Sequence, residues 1–185
     1  MLIKYFTRRE EFREWLVNHF DREGEIWLLY PKKATGKARI LYNDAVEEAL
    51  CFGWIDSIIK TFDEWHSMQR FSRRRAGSHF SQANKERLRW LYERGLLHPS
   101  ICDQAKEIVA EPFVFPEDIL ERVGEDAQAW KHFQHLSDAY KRIRIAYIDS
   151  ARKRPEEFQK RLQNFISKTR ENKLIRGYGG IEKYY

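Results

Sequence analysis

The sequence has no long hydrophobic run. Nowhere do roughly 18 apolar residues follow one another, so no transmembrane helix is predicted. The N-terminal residues contain no apolar stretch followed by a small-residue cleavage site, so we expect no secretory signal. Cysteine is scarce, and Cys51 and Cys102 lie far apart, which favours two reduced thiols over a disulfide. These features together predict a cytoplasmic protein.

The motifs of several enzyme classes are also missing. There is no Gly-x-Gly-x-x-Gly, no Walker A motif and no Ser/His/Asp signature, which disfavours ATP hydrolysis and dinucleotide redox chemistry. His132 and His135 have i,i+3 spacing on a predicted helix, but no nearby carboxylate or cysteine pattern completes a set of metal ligands. We therefore expect no metal and no cofactor. Whether the protein is an enzyme stays open.

The residues that are present indicate a globular protein with an uneven charge. Hydrophobic residues make up 42% of the 185 residues and charged residues 34%, which is enough apolar material for a sizeable core. The net charge of +6 comes from the C-terminal part: residues 137–185 contain 13 Lys and Arg against 6 Asp and Glu. This asymmetry raises the expectation of a polyanionic partner, although a charge run is usually just a solvated helix face.

Hydrophobic periodicity predicts a mixed region followed by helices. A helix over 8–20 begins at Thr7 and Glu10, which have capping-box spacing, and a short apolar run predicts a buried strand over 25–31. A helix over 43–52 and a hairpin of 58–62 with 65–71 follow, although the hairpin turn lacks glycine. Further helices are predicted from Ser81 to Gly95 and over 99–110, 116–123, 126–135, 138–153 and 155–171.

This order of elements predicts an α+β fold. We expect a small, mostly antiparallel sheet covered by helices, with a C-terminal helical lobe. Residues 1–111 form the mixed α/β part, and residues 112–185 form the helical part. We expect the two parts to pack as one globular unit.

An arginine-rich stretch in the mixed part suggests an anion site. Arginine side chains beside turn N–H groups and a helix N-terminus are suited to phosphate or carboxylate, although some of these arginines could simply face solvent. Arg70 and Arg73 are the pair that we expect to point inward. The predicted ligand-binding residues are Lys33, Trp54, Arg70, Arg73, Arg74, Ser81 and Asn84.

Asp56 is the candidate catalytic residue of this site. It follows Ile55 and precedes an apolar strand, so we expect its carboxylate to be partly buried and to need a partner such as Arg70 or Arg73. It could hold a ligand or transfer a proton. A purely structural role, such as capping a neighbouring turn, is the alternative.

Three segments resemble the bacteriocin-protection, YdeI/OmpD-associated family. They are YNDAVEEALCFGWID from Tyr42 to Asp56, QRFSRRR from Gln69 to Arg75, and the stretch from Phe115 to Arg161. The resemblance implies the same pocket residues but no established reaction. The chain departs from the family pattern at Glu156-Glu157-Phe158, where the family usually has Glu-Thr-Arg, and at Tyr147, where the family usually has tryptophan nearby.

Two functions of different classes follow. The first is a domain that binds an anionic small molecule, such as a nucleotide or a phosphorylated metabolite, in the predicted pocket. The alternative is a non-catalytic module, in bacteriocin protection or stress, that contacts nucleic acid or an acidic protein through the basic C-terminal helices.

Overall fold

Four strands form one sheet in the structure, a computed structural model that describes residues 1–75, 77–176 and 182–184. They are β1 (Ile3–Lys4), β2 (Glu25–Pro31), β3 (Trp54–Thr61) and β4 (His66–Arg73), and their order in the sheet is β1-β2-β4-β3. β4 is antiparallel to both β2 and β3, and β1 is parallel to β2. The predicted, mostly antiparallel sheet is confirmed.

Eight α-helices occur in the described residues, so the predicted α+β class is also confirmed. Two 3-10 turns, Lys33–Thr35 and Glu182–Tyr184, complete the regular structure there. The helices are α1 (Arg9–His19), α2 (Tyr42–Cys51), α3 (Gln82–Glu93), α4 (Pro99–Ala110), α5 (Glu117–Gly124), α6 (Ala127–His135), α7 (Asp138–Asp149) and α8 (Pro155–Arg170).

The chain divides into two compact units. The first unit contains residues 1–79 and 88–107, and the second contains residues 80–87 and 108–185. Helix α3 therefore contributes its first turns to the second unit and its remainder to the first.

The core of the first unit lies on one face of the sheet. Alternation along β2 and β4 places Ile26 and Phe71 opposite each other, and both are fully buried. Phe12 of α1 packs edge-on against Phe71, with ring centroids 5.6 Å apart. The sheet face that carries Ile26, Leu28 and Phe71 is therefore the face that α1 covers.

The predicted hairpin is present, and its turn is stabilised without glycine. The carboxylate of Asp63 accepts hydrogen bonds from the backbone N–H groups of Trp65 and His66, both at 2.7 Å. This side chain supplies acceptors that hold the turn closed. The strands are also longer than predicted, because β3 begins at Trp54 directly after α2.

Helix α1 begins later than the capping-box spacing predicts. Glu11, and not Glu10, reaches back: its carboxylate accepts hydrogen bonds from the Thr7 backbone N–H at 2.8 Å and from the Thr7 hydroxyl at 3.0 Å. The contact thus spans four residues, and the helix starts at Arg9.

Two acidic side chains are buried where α2 meets α1. Glu47 and Glu48 are 0% and 2% exposed. The Glu48 carboxylate accepts a hydrogen bond from Arg9 Nε at 2.8 Å and another from Arg13 Nη1 at 2.7 Å. Arg13 also donates to the backbone carbonyl of Leu96 at 2.9 Å. Because buried carboxylates need such partners, this network fixes α2 against α1.

Gly53 turns the chain from α2 into β3. Its φ of +72° lies in the left-handed region that side chains avoid, and a Cβ at this position would lie 2.7 Å from Ile101 Cδ1. Only glycine satisfies both conditions without strain. The CFGWID motif therefore contains a required helix stop.

The second unit is built around a core of α5 to α8. The predicted helices here match the observed ones, except that α7 ends at Asp149 instead of 153. Asp126 caps α6 by accepting hydrogen bonds from the N–H groups of Gln128 and Ala129. The buried residues of this core are Ile119, Val123, Ala129, Phe133, Tyr140, Ile145, Ile148, Leu162, Phe165 and Ile166.

Substitution of Gly53 by alanine should destabilise the first unit. The new Cβ forces a residue with a side chain into the left-handed region and against Ile101, at a cost of about 2 kcal/mol in the free energy of unfolding. Gly24→Ala is the matched control, because Gly24 has an ordinary φ and open space around it. Urea unfolding of the two variants measures the difference, and equal stabilities would contradict this role for Gly53.

Substitution of Glu48 by alanine should also destabilise the protein. It leaves Arg9 and Arg13 without their shared acceptor, and we expect a loss of about 2 kcal/mol, moderated because both arginines are partly exposed to solvent. Glu10→Ala, at an exposed position on α1, should change the midpoint of urea unfolding little. A Glu48→Ala midpoint equal to that of Glu10→Ala would show that the network is dispensable.

Candidate functional site

The motif CFGWID contributes one polar side chain to the surface of the first unit. Cys51, Phe52 and Trp54 are buried, and Trp54 donates its indole N–H to the carbonyl of Phe20 at 3.2 Å. Trp54 is therefore a core residue that cannot stack on a ligand without rearrangement. Asp56, two residues further along β3, is half-buried.

Asp56 is held by two uncharged donors. Its Oδ2 atom accepts a hydrogen bond from the Tyr42 hydroxyl at 2.8 Å and another from Gln69 Nε2 at 2.8 Å. Gln69 is 4% exposed, so one of the two partners is firmly buried. Within the described residues Oδ1 accepts no hydrogen bond, which leaves one carboxylate oxygen available to a ligand.

The predicted pairing of Asp56 with Arg70 is wrong. Asp56 is the register partner of Phe71 and lies on the face of the sheet that α1 covers, whereas Arg70 points to the opposite face because side chains alternate along a strand. Arg70 Nε instead donates to Glu25 Oε2 at 2.7 Å. That ion pair satisfies the arginine on its own face.

A cleft of about 220 Å³ is lined by Tyr42 and Gln69, the two residues that donate to Asp56, and we call it the Asp56 cleft, although Asp56 itself is not among its lining residues. It is bounded by the end of β2, by the hairpin strands and by the start of α2. Its rim is apolar at Leu41 and Ile59, which are 65% and 66% exposed. The lining residues are Tyr30, Arg39, Leu41, Tyr42, Ile59, Ser67 and Gln69.

The Tyr30 hydroxyl in this cleft is buried and has no hydrogen-bond partner within the part of the chain that the structure describes. Burial raises the pKa of Tyr30 well above its ordinary value, and the nearby Tyr42 and Asp56 raise it further. Tyr30 is therefore a neutral hydroxyl that can donate. Since buried polar groups are nearly always bonded, this hydroxyl needs an explanation.

Arg39 brings a positive charge to the same cleft. Its guanidinium lies 6.0 Å from the centroid of the Tyr30 ring, and its Nη1 donates to the carbonyl of Pro31 at 2.7 Å. Its remaining N–H groups bond to no other described residue. They are available to an acidic group in the cleft.

The other predicted ligand residues of the first unit lie outside this lining. Lys33 is exposed on its 3-10 turn, and Arg73, predicted to point inward, is exposed and donates to the carbonyl of Glu23 at 2.8 Å. Arg74 donates to the carbonyls of Ser78 and His79. Burial lowers the pKa of Arg74, and the charge of Asp56 opposes that effect, so Arg74 and Asp56 interact electrostatically.

Ser81 and Asn84 belong to the second unit. Ser81 Oγ accepts a hydrogen bond from the backbone N–H of Asn84 at 3.3 Å, and Asn84 Oδ1 accepts one from Arg87 at 3.0 Å. Ser81 thus caps α3, as its position in the sequence suggested. Whether any of the seven predicted residues contacts a ligand stays a prediction.

Sequence reasoning missed Tyr30, Arg39 and the roles of Tyr42 and Gln69. Tyr42 and Gln69 are the first residues of two runs that carry the family resemblance, and membership of these runs is the feature of the sequence that could have pointed to them. Tyr30 has no such signal, because a tyrosine in an apolar strand is usually an ordinary core residue.

Cys51 is unsuited to nucleophilic catalysis. The residue is fully buried, and burial raises the pKa of its thiol to about 11, so the thiolate is scarce near neutral pH. His132 and His135 bond to the backbone carbonyls of Thr169 and Lys131. Among the described residues no three metal-ligating side chains come together, and no helix has the length and apolar content to cross a membrane.

Much of the positive charge in the C-terminal helices is neutralised within the second unit. Arg142 forms two hydrogen bonds to the buried Glu86, at 2.6 and 2.9 Å. Arg152 bonds to Asp118 at 2.7 and 2.9 Å. The basic side chains of this region therefore do not form a continuous face without ion pairs.

Two family models match the chain. Residues 4–104 match a model described as Domain of unknown function (DUF8412), and residues 112–172 match one described as Bacteriocin-protection, YdeI or OmpD-Associated. No curated protein and no solved structure matches the chain. The second model confirms the predicted family, while the runs from Tyr42 to Arg75 fall within the first model. The chain thus belongs to the DUF8412 family, and over residues 112–172 it is a YdeI/OmpD-associated-like protein.

Proposed function

We propose that the first unit binds a small anionic molecule, of the nucleotide or phosphorylated-metabolite class, in the Asp56 cleft. The observation that carries this proposal is the buried Tyr30 hydroxyl without a partner among the described residues. An unsatisfied buried hydroxyl costs about 1–3 kcal/mol, and a ligand that bonds to it recovers part of that free energy. The protein therefore gains stability when the cleft is filled.

The polar groups of the cleft define the ligand. Asp56 Oδ1 accepts a hydrogen bond from a ligand N–H or O–H group, and the Tyr30 hydroxyl donates to a ligand oxygen. The free N–H groups of Arg39 pair with the acidic group. A molecule with a donor edge and a phosphate, such as a nucleoside monophosphate, meets all three requirements.

If the site catalyses a reaction, Asp56 is the residue that would transfer a proton. Its carboxylate has one free oxygen, and its other oxygen is oriented by Tyr42 and Gln69. Proton transfer needs a carboxylate positioned in this way within reach of the ligand. Binding without turnover is the simpler function, and it is the one proposed.

The proposal places this activity in the cytoplasm. Both cysteines are free thiols, which is the usual state in a reducing compartment. The alternative of nucleic acid or an acidic protein on the basic C-terminal helices stays a prediction. The internal ion pairs of Arg142 and Arg152 give it no support.

Tyr30→Phe should stabilise the protein without ligand. Removing the unpartnered hydroxyl raises the free energy of unfolding by about 1 kcal/mol. Tyr140→Phe is the matched control: the Tyr140 hydroxyl accepts a hydrogen bond from the Ile175 N–H at 2.9 Å, so its loss should lower stability. Urea unfolding measures both variants, and a Tyr30→Phe protein less stable than wild type would show that the hydroxyl has a partner.

Asp56→Asn should weaken binding while leaving the fold intact. No arginine pairs with this carboxylate through a hydrogen bond, so the variant should unfold within about 1 kcal/mol of wild type. A thermal-shift screen of nucleotides and phosphorylated metabolites identifies the ligand, and calorimetric titration then compares variants. We expect the affinity to fall at least tenfold in Asp56→Asn and in Arg39→Ala.

Arg22→Ala is the control for this titration, because Arg22 is an exposed arginine of the same unit outside the cleft. Its affinity should equal that of wild type. Two results would contradict the proposal: no member of the panel stabilises the protein, or a ligand binds Asp56→Asn and wild type equally well.

A further inference from the structure

A second cavity lies within the second unit, between α7, α8 and the segment that follows α8. Its volume is about 360 Å³, within the range of small-molecule sites. Helix α8 supplies the adjacent residues Lys160 and Arg161, and Asn164 one turn further along. Helix α7 supplies Arg144 and Tyr147, and Arg176 closes the far side. We call this cavity the α7–α8 groove.

The groove has a strong excess of positive charge. Arg144, Lys160, Arg161 and Arg176 line it, and Glu157 is the one acidic side chain among its lining residues. The hydrogen bond from Arg161 holds the pKa of Glu157 below its ordinary value, so this carboxylate stays ionised. These lining residues therefore carry a net formal charge of +3, from four basic side chains and one acidic side chain.

Arg161 is held in place as a binding group. Its Nε donates to Glu157 at 2.7 Å, and its Nη1 donates to the Tyr147 carbonyl at 2.7 Å. The guanidinium carbon lies 3.7 Å from the centroid of the Tyr147 ring. In the described residues the Nη2 atom of Arg161 donates to nothing, so its N–H groups remain for a ligand.

The opposite wall is fixed by α7. Arg144 is 2% exposed and donates through Nη2 to the carbonyl of Ile175, while the Tyr140 hydroxyl accepts from the Ile175 N–H at 2.9 Å. These two bonds hold the segment that carries Arg176.

From this geometry we infer that the α7–α8 groove is a second ligand site, which binds an organic anion with a phosphate or carboxylate head and an apolar body. The phosphate or carboxylate head accepts charge-assisted hydrogen bonds from Lys160 and from Arg161 Nη2. The apolar body packs on Ile148, Phe165 and Ile175, which also line the groove. This site is independent of the Asp56 cleft.

Calorimetric titration with phenyl phosphate tests whether the groove binds such an anion. Inorganic phosphate, which is the head group alone, and phenol, which is the apolar body alone, are titrated for comparison. We expect phenyl phosphate to bind more tightly than either part. Lys160→Glu should weaken binding at least tenfold, because it reverses the charge of an exposed residue that lines the groove. Lys153→Glu, an equal charge change at an exposed residue outside the lining, should change the affinity less than twofold.

Asp56→Asn separates this site from the proposed function, since it should leave phenyl phosphate binding unchanged. Arg161→Lys keeps the charge but removes Nη2, and it should also weaken binding. The inference is overturned if wild type does not bind phenyl phosphate at millimolar concentration, or if Lys153→Glu and Lys160→Glu weaken binding equally. Loss of binding in Asp56→Asn would assign the ligand to the cleft instead.

Discussion

Glu48 is buried on α2, and the arrangement of the first unit depends on the two arginines of α1 that bond to its carboxylate. A buried carboxylate has few acceptable positions, because it must keep such partners. The network therefore fixes α2 against α1. Tyr42, the first residue of α2, then lies where its hydroxyl meets Asp56. The hydrogen bond between Tyr42 and Asp56 thus depends on the ion pairs that hold α2 against α1.

The fold was predictable because it follows from periodicity. Three- and four-residue spacing predicted α1, prolines at first-turn positions marked the later helices, and alternation predicted the β3–β4 hairpin. The candidate site was less predictable, because it depends on which face of β4 each side chain occupies. Arg70 and Gln69 are neighbours in sequence but point to opposite faces, and only the register shows that Gln69 shares a face with Asp56. The missing partner of Tyr30 is a property of three-dimensional packing that has no sequence signal.

The basic character of the C-terminal part has a similar explanation. Composition shows an excess of positive charge but not how it is distributed in space. In the structure Arg142 and Arg152 are used in ion pairs that join helices, and they contribute to the stability of the second unit. Three further basic residues, Lys160, Arg161 and Arg176, line one groove. The positive charge of this part of the chain is therefore divided. Some of it forms ion pairs within the second unit, and some of it lines the α7–α8 groove.

A ligand that fills the Asp56 cleft, as we propose, forms a hydrogen bond with the Tyr30 hydroxyl. Carbon-13 NMR of protein labelled at tyrosine Cζ tests it most directly, because this carbon reports on hydrogen bonding of each hydroxyl. During titration with the nucleotide or phosphorylated metabolite that gives the largest thermal shift, the Tyr30 and Tyr42 signals should move with saturation while the Tyr147 signal stays in place. A saturable shift of Tyr147 alone, with Tyr30 unchanged, would contradict the account.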